Sequence, residues 1–481
     1  MGVTKRAYRG WRGGRDRRME RVAALMRAGS CPMLLPATFG STNSQPMLRA
    51  LICLSTVLFL LCARAQDSLL ITNVRVFTGT SADVKNGSVL LVKDRIAEVG
   101  STIIPTRGTV VIDGGGRFLM PGLIDAHWHT FMGPATMPEM MDGDVGYLHT
   151  LATAEAEATL LRGFTTVRDA AGPAFGLKRA IDKGIVPGPR IYPSGAMISQ
   201  TSGHGDFRTR GEAPLKFGGY PDLGSQLGAG VIADGPDEVR TAVREQLRLG
   251  ATQIKLAGGG GVSSIYDPID VNQYSAEEMK VAVDCARDWG TYVIVHIYTD
   301  EGIRRAIDAG VLSIEHGHLA SEPTIKLMAE KGVWLSMQAF TDMSEKPHFT
   351  AEQNVKSKQV AGGTANVYTL AKEYNVKLAW GTDKLWGRAN CAEQNKDLAK
   401  LLPWFTPYEI LNMATARNGE LMQLSGPRNP YPAKLGVIEP GAYADLLLVN
   451  GDPLKDITVL EDPAKNLVVI IKDGKVVKDV R

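Results

Sequence analysis

Eight short apolar runs alternate with longer helical stretches between residues 119 and 424, and this alternation constrains the fold more than any other feature of the chain. The stretches 237–249, 276–289 and 300–309 combine helical spacing of apolar residues with acidic residues at their start. The predicted strands are 123–127, 165–168, 190–192, 253–257, 292–297, 313–316, 333–337 and 377–380. Eight strands separated by helices over roughly 250–300 residues predict an α/β fold, a (β/α)8 TIM-like barrel. A doubly wound parallel sheet is the competing topology.

Two further segments, 69–112 and 444–478, consist of short β-rich runs separated by turn residues. One turn is predicted near Asn86 and Gly87. Because segments at opposite ends of a chain most simply pair with each other, we predict one small β-sandwich domain built from 66–118 and 435–481. The barrel then occupies residues 119–434.

The first 65 residues have the composition of a targeting segment. A thirteen-residue apolar run, 50–62, is followed by small residues at Ala63 and Ala65, as signal peptidase cleavage requires. The run is too short to span a bilayer, which needs about 20 apolar residues. We interpret it as a signal peptide that starts at Met47 and is cleaved near Ala65. The mature protein is then secreted or periplasmic and has no stable membrane anchor; the alternatives are a buried helix or a membrane anchor.

Charge and cysteine content exclude other classes of protein. The net charge of +3 includes eleven basic and two acidic side chains within residues 1–65, so the rest of the chain is mildly acidic. Such a composition does not predict the basic surface that nucleic-acid binding requires. Five cysteines without Cys-x-x-Cys spacing predict neither a disulfide framework nor a cysteine zinc cluster. After the predicted cleavage only Cys285 and Cys391 remain.

Polar residues that can bind a metal lie at the ends of several predicted barrel strands. Catalytic groups of such barrels occupy the carboxyl ends of the strands. These residues are His127, His129, Lys255, His296, His316 and Asp383. His127 and His129 are two residues apart, so they point to the same side of their strand and can bind one ion. Imidazole and carboxylate ligands suit Zn²⁺, and also Co²⁺ and Mn²⁺.

Lys255 is unusual in this set because a dication would repel its ammonium group. In one interpretation it is a barrel-interior lysine paired with an acid. In the other, its amine has reacted with CO₂, and the N6-carboxylated side chain bridges two divalent metals together with a hydroxide. Carbamate, Asp383 and hydroxide would leave one positive charge of two Zn²⁺ ions uncompensated, and a developing oxyanion would neutralise it.

The ordered set of ligand positions resembles the amidohydrolase superfamily. The similarity spans nearly all of residues 69–480, and its specific segments are 120–129, 165–169, 254–255, His296, 315–317, 381–383 and 441–446. Segments 193–206, 254–261 and 314–317 further resemble the imidazolonepropionase-like and prolidase-like branch, which includes ochratoxin amidohydrolases. The resemblance implies hydrolysis of a small-molecule amide that joins an acyl group to a C-terminal amino acid. It also implies a homo-oligomer.

The expected catalytic residues are Asp383, His204 and Tyr298. Asp383 would take a proton from the attacking water and pass it to the leaving amine, unless its role is ligation alone. His204 and Tyr298 are candidates for substrate binding, and a structural role is the alternative for each. The glycines at 258–261 form either an anion-binding loop or a tight turn. His149, His318 and His348 are lesser candidates.

Two other functions remain open. A cyclic amidase or lactonase of the same superfamily would use the same ligands. A non-catalytic scaffold of the same fold should have lost ligands, and none of the six is lost. A deaminase is disfavoured because such enzymes typically hold one metal and lack a lysine at the position of Lys255.

Overall fold

Strands dominate both ends of the described chain, and strands alternate with helices between them. The structure is a computed structural model that describes residues 68–347 and 349–481. The predicted signal peptide and its cleavage site lie outside these residues. The strands are β1 (Ser68–Phe77), β2 (Val84–Val92), β3 (Arg95–Gly100), β4 (Val110–Asp113), β5 (Phe118–Pro121), β6 (Leu123–Trp128), β7 (Phe164–Asp169), β8 (Arg190–Pro193), β9 (Met197–Ser199), β10 (Gly230–Ile232), β11 (Ile254–Ala257), β12 (Val293–Thr299), β13 (Ser313–Leu319), β14 (Trp334–Met337), β15 (Lys377–Trp380), β16 (Leu446–Val449), β17 (Leu467–Lys472) and β18 (Lys475–Asp479).

Most of the longer helices lie between the parallel strands. The α-helices are α1 (Met137–Asp142), α2 (Val145–Leu161), α3 (Phe175–Asp182), α4 (Leu223–Leu227), α5 (Pro236–Leu249), α6 (Ala276–Asp288), α7 (Asp300–Ala309), α8 (Glu322–Lys331), α9 (Ala351–Glu373), α10 (Arg388–Ala392), α11 (Lys396–Ala399), α12 (Pro407–Asn412), α13 (Asn418–Met422) and α14 (Pro463–Asn466). Short 3₁₀ turns occupy Leu215–Phe217, Gln423–Arg428 and Ile457–Glu461, and a π turn occupies Met413–Arg417. Across the part of the chain that the structure describes, no helix has the length and apolar character needed to cross a membrane.

Helix boundaries follow from side-chain caps. Ser275 accepts a hydrogen bond from the backbone N–H of Glu278, whose carboxylate accepts one from the N–H of Ser275, so α6 begins there. Thr350 and Gln353 form the same reciprocal pair at the start of α9. Gly250 has φ +107° and ends α5, because glycine adopts this left-handed conformation without steric cost.

The parallel strands form two sheets, and backbone hydrogen bonds join these sheets at two places. One sheet has the order β10-β9-β11-β12-β13-β14-β15 and the other the order β6-β7-β8. At one junction the N–H of Thr252 donates to the carbonyl of Pro193 at 2.9 Å, and at the other the N–H of Asp383 donates to the carbonyl of His127 at 2.8 Å. All eight strands predicted for this region are present, with shifts of a few residues at their ends. The mixed α/β class with parallel strands is therefore confirmed.

Strands from both ends of the described chain share a third sheet. Its order is β18-β17-β16-β5-β1-β2-β3, and β4 also pairs with β1. Alternate residues face two different cores: Phe118 and Met120 of β5 pack into the large core of the α/β region, whereas Leu119 packs into a separate cluster of this sheet. Both faces of the sheet are therefore covered.

The predicted turn at Asn86 and Gly87 is wrong. Both residues lie inside β2, opposite Arg75 and Val74, where the register of β1 shifts. A β-carbon on Gly87 would lie 2.7 Å from the carbonyl oxygen of Gly100. The glycine is therefore explained by close approach of the neighbouring strand and not by a turn.

Candidate active site

Three of the six predicted ligands converge on one point at the carboxyl ends of the parallel strands. His127 lies near the end of β6, His316 lies within β13, and Asp383 follows β15. One ligand atom from each of these residues lies within 4.8 Å of the others, which is close enough to hold a metal ion. These three side chains come from distant parts of the chain, so only the arrangement of the strands brings them together.

His129 extends this cluster on the side of Asp383. Its Nε2 atom lies 3.0 Å from Oδ1 of Asp383, and Nε2 of His127 lies 3.5 Å from the same oxygen. The ring centroids of His127 and His129 are 5.4 Å apart. The two histidines therefore face the same carboxylate, as their spacing in a strand predicts.

His296 lies beside His316, and Lys255 is close enough to the cluster to affect the pKa values of His296, His316 and Asp383. The ring centroids of His296 and His316 are 4.4 Å apart. Lys255 is buried in β11, and its side chain has no hydrogen-bond partner among the described residues. Burial lowers the pKa of Lys255 to about 8, against the opposing effect of Glu315 and Asp383. The structure thus brings all six predicted ligand positions to one region.

Two of these residues have a backbone conformation that is uncommon outside glycine. His316 has φ +79° and Asp383 has φ +54°. Residues in such regions cost on the order of 1–3 kcal/mol each and cluster at functional sites. At His316 this conformation also interrupts the alternation of side chains, so both Glu315 and His316 face the cluster.

Partner groups orient the ring nitrogens of the histidines. Nδ1 of His127 donates to Oε2 of Glu315 at 2.8 Å, Nδ1 of His316 donates to Oε1 of Gln338 at 2.7 Å, and Nε2 of His296 donates to the carbonyl of Gly260 at 3.2 Å. The other nitrogen of each ring is then left to face the cluster. Such partners fix the tautomer of a metal-binding histidine.

Arg168 holds Glu315 in place. Its Nη2 atom donates to both carboxylate oxygens, at 2.7 and 2.8 Å, and both side chains are fully buried. Burial alone would raise the pKa of Glu315, but Arg168 and His127 lower it to about 2. Glu315 is therefore an anion beside His127. Both residues lie in the motif segments 165–169 and 315–317, but the sequence does not reveal their pairing because it joins distant strands.

Asp125 joins the two strands that carry His127 and Asp383. Its carboxylate accepts hydrogen bonds from the N–H of His127 at 3.0 Å, from Oγ1 of Thr382 at 2.6 Å and from Nε2 of Gln394 at 2.9 Å. Burial raises the pKa of Asp125 to about 6. This junction sets the position of Asp383, and it was also missed from the sequence.

His204 lies against His296, although it belongs to the long connection after β9. The two rings stack with centroids 4.0 Å apart and planes 10° apart. Nδ1 of His204 lies 3.0 Å from Oγ of Ser264 and 3.6 Å from Oδ2 of Asp267. A β-carbon on Gly261 would lie 1.9 Å from Nδ1 of His204, so the glycine provides the space for this ring.

Tyr298 faces the cluster from β12, two residues after His296. Its ring stacks on His316 with centroids 5.1 Å apart, and burial together with the nearby Asp383 raises its pKa well above the usual value. The phenol is therefore protonated at neutral pH. It can donate a hydrogen bond.

The lesser candidates occupy other positions. His318 is buried, with Nε2 2.9 Å from the carbonyl oxygen of Gln338 and its ring stacked on Phe340. His149 belongs to α2, and its ring lies beside that of Phe131. His348 lies outside the described residues.

The residues present fit a divalent metal. Burial lowers the pKa of His127 to about 4, and it lowers the pKa values of His296 and His316 well below 6.5, so these imidazoles are neutral at physiological pH and have free lone pairs. Nδ1 of His129 is buried and has no partner within the described chain. Nitrogen donors together with the carboxylate of Asp383 form a ligand set that suits Zn²⁺ and related ions.

The chain is similar to known proteins over most of its length. A model of the amidohydrolase family matches residues 118–477. Ochratoxinase from Aspergillus niger is 34% identical over 425 residues, covering 83% of this chain and 84% of its own. Its crystal structure has a TM-score of 0.75 at 30% identity and covers 86% of this chain and 96% of its own.

Two further crystal structures are similar over nearly the same region. A prolidase in complex with N-methylphosphonate-L-proline has a TM-score of 0.79 at 32% identity, covering 86% of this chain and 100% of its own. A Xaa-Pro dipeptidase with bound methionine has a TM-score of 0.74 at 30% identity, covering 85% of this chain and 100% of its own. The chain therefore belongs to the amidohydrolase family. It is a hydrolase that acts on amide bonds, and the resemblance seen in its sequence is confirmed.

Proposed function

We propose that this protein is a binuclear metal-dependent amidohydrolase that cleaves the amide bond between an acyl group and a C-terminal amino acid. Candidate substrates are N-acyl amino acids, X-Pro dipeptides and ochratoxin A, which would yield ochratoxin alpha and phenylalanine. The observation that carries the proposal is the convergence of four histidines, Lys255 and Asp383 at the ends of the parallel strands. The similarity to ochratoxinase and to the prolidase supports the choice of substrates.

The proposal includes the architecture of the protein. The two parallel sheets include the eight predicted strands, β6–β8 and β11–β15, together with β9 and β10, and hydrogen bonds at Thr252 and Asp383 join one sheet to the other. This ring of contacts supports a (β/α)8 barrel over 119–434. The sheet shared by both chain ends supports a small β-sandwich domain built from 66–118 and 435–481.

The six ligand positions would hold two divalent ions, and Zn²⁺ suits their chemistry. His127, His129 and Asp383 would hold one ion and His296 and His316 the other, with N6-carboxylated Lys255 between them. Lys255 fits this role because its buried amine has no hydrogen-bond partner in the described chain and because its lowered pKa favours the neutral form that reacts with CO₂. Bound ions would supply a hydroxide nucleophile at neutral pH by lowering the pKa of water from ~15.7 toward ~7.

The side chains of this protein would carry the proton and orient the substrate. Burial alone would raise the pKa of Asp383, but His127, His129 and Lys255 lower it well below its usual value, so Asp383 is ionised and can accept a proton from the attacking water. Asp383 would then donate this proton to the leaving amine. Tyr298 and His204 would bind the substrate carbonyl or carboxylate.

Export and assembly complete the proposal. Cleavage near Ala65 would release a secreted or periplasmic protein that begins near Gln66, from a precursor that starts at Met47. The mature protein would act as a homo-oligomer. Amino-terminal sequencing of secreted material tests the first point, and recovery of an intact chain that begins at Met1 in the cytoplasm would contradict it.

The test of function is hydrolysis of a substrate panel by the metal-loaded protein. The panel contains N-acyl amino acids, X-Pro dipeptides, ochratoxin A and lactones. We expect release of a free amino acid from at least one amide, measured by amine detection. Cleavage of lactones alone would identify a lactonase instead, and no cleavage with full metal content would contradict an enzymatic role.

A further inference from the structure

A buried carboxylate lies beside His204, the candidate substrate-binding residue whose ring stacks on His296. It belongs to Asp267, which is 2% exposed and lies in the connection between β11 and α6. Its Oδ2 atom lies 3.6 Å from Nδ1 of His204. Among residues 68–347 and 349–481, His204 is the one basic side chain at ion-pair distance from this carboxylate. The two side chains therefore form a pair behind the candidate site.

Hydrogen bonds hold this carboxylate in place. Its Oδ2 atom accepts from the N–H of Gly261 at 2.8 Å and from Nε2 of Gln273 at 3.3 Å. Burial alone would raise the pKa of Asp267, but the groups that surround it, above all His204, lower the pKa below its usual value. Asp267 is therefore an anion at neutral pH.

A serine hydroxyl shows which ring nitrogen of His204 carries a proton. Oγ of Ser264 donates its single proton to the carbonyl of Gly261 at 3.1 Å. Nδ1 of His204 lies 3.0 Å from the same Oγ atom, so Nδ1 is the donor in that contact. The negative charge of Asp267 favours a proton on the same nitrogen, because Nδ1 is the ring nitrogen that faces it.

The other ring nitrogen of His204 is left for a ligand. Nε2 has no hydrogen-bond partner in the part of the chain that the structure describes, and the side chain is 15% exposed. The ring lies against His296, with centroids 4.0 Å apart. A group bound at Nε2 would therefore lie close to a candidate metal ligand.

Helix α9 fixes the loop that carries Asp267. Nζ of Lys356 donates to the carbonyls of Ser264 and Asp267, at 2.8 and 3.1 Å. One turn earlier, Nε2 of Gln353 donates to the carbonyl of Ser263 at 2.6 Å. Both side chains of α9 are buried. The backbone of the loop is therefore anchored, which gives the carboxylate a defined position relative to His204.

We propose that Asp267 is a positioning residue, which holds the ring of His204 through Nδ1 and so presents Nε2 to the substrate. The inference rests on the proposed amidohydrolase function and adds a residue that acts through His204. Without the carboxylate, the ring has less to fix its orientation and its tautomer. Side chains that bind substrate work at full strength only when such neighbours lock them in the productive geometry.

The first experiment is a double-mutant cycle with Asp267→Asn and His204→Ala in the metal-loaded protein. Kinetics are measured with the amide of the substrate panel that is hydrolysed fastest. Asparagine keeps the shape of the side chain and one acceptor oxygen but removes the charge. We expect each single variant to lower kcat/KM at least about tenfold, with metal content unchanged.

The double variant separates a positioning role from a structural one. A residue that acts only through His204 has no effect in its absence, so the double variant should have the same kcat/KM as His204→Ala. If Asp267 merely stabilised the loop, the losses of the two single variants would multiply. Multiplied losses would overturn the proposal, and so would normal kinetics in Asp267→Asn.

Asp222→Asn is the matched control for loss of a buried carboxylate. Asp222 is also buried, and its carboxylate accepts hydrogen bonds from the N–H and the hydroxyl of Ser225 at the start of α4. Its kcat/KM should equal that of the wild type, and a thermal melt checks that both variants fold. Equal losses of kcat/KM in Asp222→Asn and Asp267→Asn would contradict a specific role for Asp267.

A spectroscopic measurement tests the pair independently of turnover. If no amide is hydrolysed, the proposed function fails, but nitrogen NMR signals of the histidine side chains in isotope-labelled, zinc-loaded protein still report on His204. Comparison with His204→Ala assigns the signals. We expect Nδ1 to be protonated in the wild type and partly deprotonated in Asp267→Asn. A bare Nδ1 in the wild type, or the same Nδ1 signal in both proteins, would overturn the positioning role.

Discussion

The role of Lys255 distinguishes two interpretations of the site. In one, the carboxylated side chain bridges two metal ions; in the other, Lys255 is a structural lysine inside the barrel. If it acts through a bridging carboxylate, Lys255→Ala removes that bridge, and both metal content and activity should collapse. A small acid such as propionate, added with fresh metal, should then restore part of the activity, whereas amines should not. The measurements are metal analysis and turnover with each additive.

The opposite pattern of rescue would show that Lys255 is a barrel-interior lysine paired with an acid. In that case amines restore function and acids do not. Near-normal metal content and turnover in Lys255→Ala would exclude the bridge altogether. Metal-free wild type should also reconstitute better with bicarbonate than in CO₂-depleted buffer.

The second prediction at the scale of a single residue concerns Glu315. Its carboxylate accepts from His127 and is held by Arg168. Glu315→Gln retains the shape but removes the negative charge that makes the imidazole a stronger ligand, and it leaves the Arg168 guanidinium without a counter-charge. We expect metal affinity to fall about 10–100-fold. Competition with a chelator measures this directly.

Glu322→Gln provides the control for this experiment, because Glu322 pairs with Lys326 on the surface of α8. Its metal affinity should equal that of the wild type. An unchanged affinity in Glu315→Gln would show that Glu315 does not support the metal site.

The loop after β11 illustrates how an element positions a side chain that it does not contain. The glycines at 258–261 were expected to form an anion-binding loop or a tight turn, and the structure shows that Gly261 makes room for the ring of His204. Gly261 does not have a positive φ, so alanine fits its backbone. The atoms nearest to an added β-carbon all belong to the ring of His204.

Gly261→Ala should displace His204 and lower kcat/KM at least about tenfold, with metal content unchanged, if His204 binds the substrate. Gly211→Ala is the control, because a β-carbon there meets no atom within 4 Å. Kinetics and metal analysis of both variants check this. Normal kinetics in Gly261→Ala would assign His204 a structural role.

At the scale of the whole molecule, buried titratable groups predict acid sensitivity. His127, His296, His316 and His318 have pKa values lowered by burial, to about 4 for His127 and His318. The unfolded chain therefore binds protons near pH 6.5 that the folded chain excludes, and stability falls as the pH drops from about 6.5 toward 4. His127 and His318 each contribute on the order of 2 kcal/mol across this range.

Two buried carboxyls act in the opposite direction. Burial raises the pKa of Asp125 to about 6 and that of Asp169 to about 8, so protonation of these groups stabilises the folded state as the pH falls. Below pH 6.5 the destabilising effect of the four histidines exceeds the stabilising effect of these two carboxyls, because more histidines than carboxyls change their proton binding on unfolding. We expect the Tm of the metal-free protein to fall between pH 6.5 and 5 at constant ionic strength, as measured by calorimetry. A constant or rising Tm would contradict the buried, neutral state of the histidines.

The sequence alone was sufficient to locate eight strands of the α/β region and to name six candidate ligand residues that the structure brings together. Strand location follows from local apolar runs. Several of these strands end in His or Asp, which indicates that their carboxyl ends meet at one edge. His127 and His129 could be assigned to one side of a strand because side-chain alternation is a local property of the backbone. Local pattern failed at Asn86 and Gly87, where contact with another strand and not a turn explains the glycine.

Only the tertiary structure decided how the ligands are supported. The positive φ of His316 breaks the alternation that would place Glu315 and His316 on opposite faces. Arg168 is fully buried because it meets Glu315 from a distant strand, and Gly261 is required because His204 arrives from another loop. These contacts depend on the packing of segments far apart in sequence, and periodicity within a segment carries no information about which partner it meets.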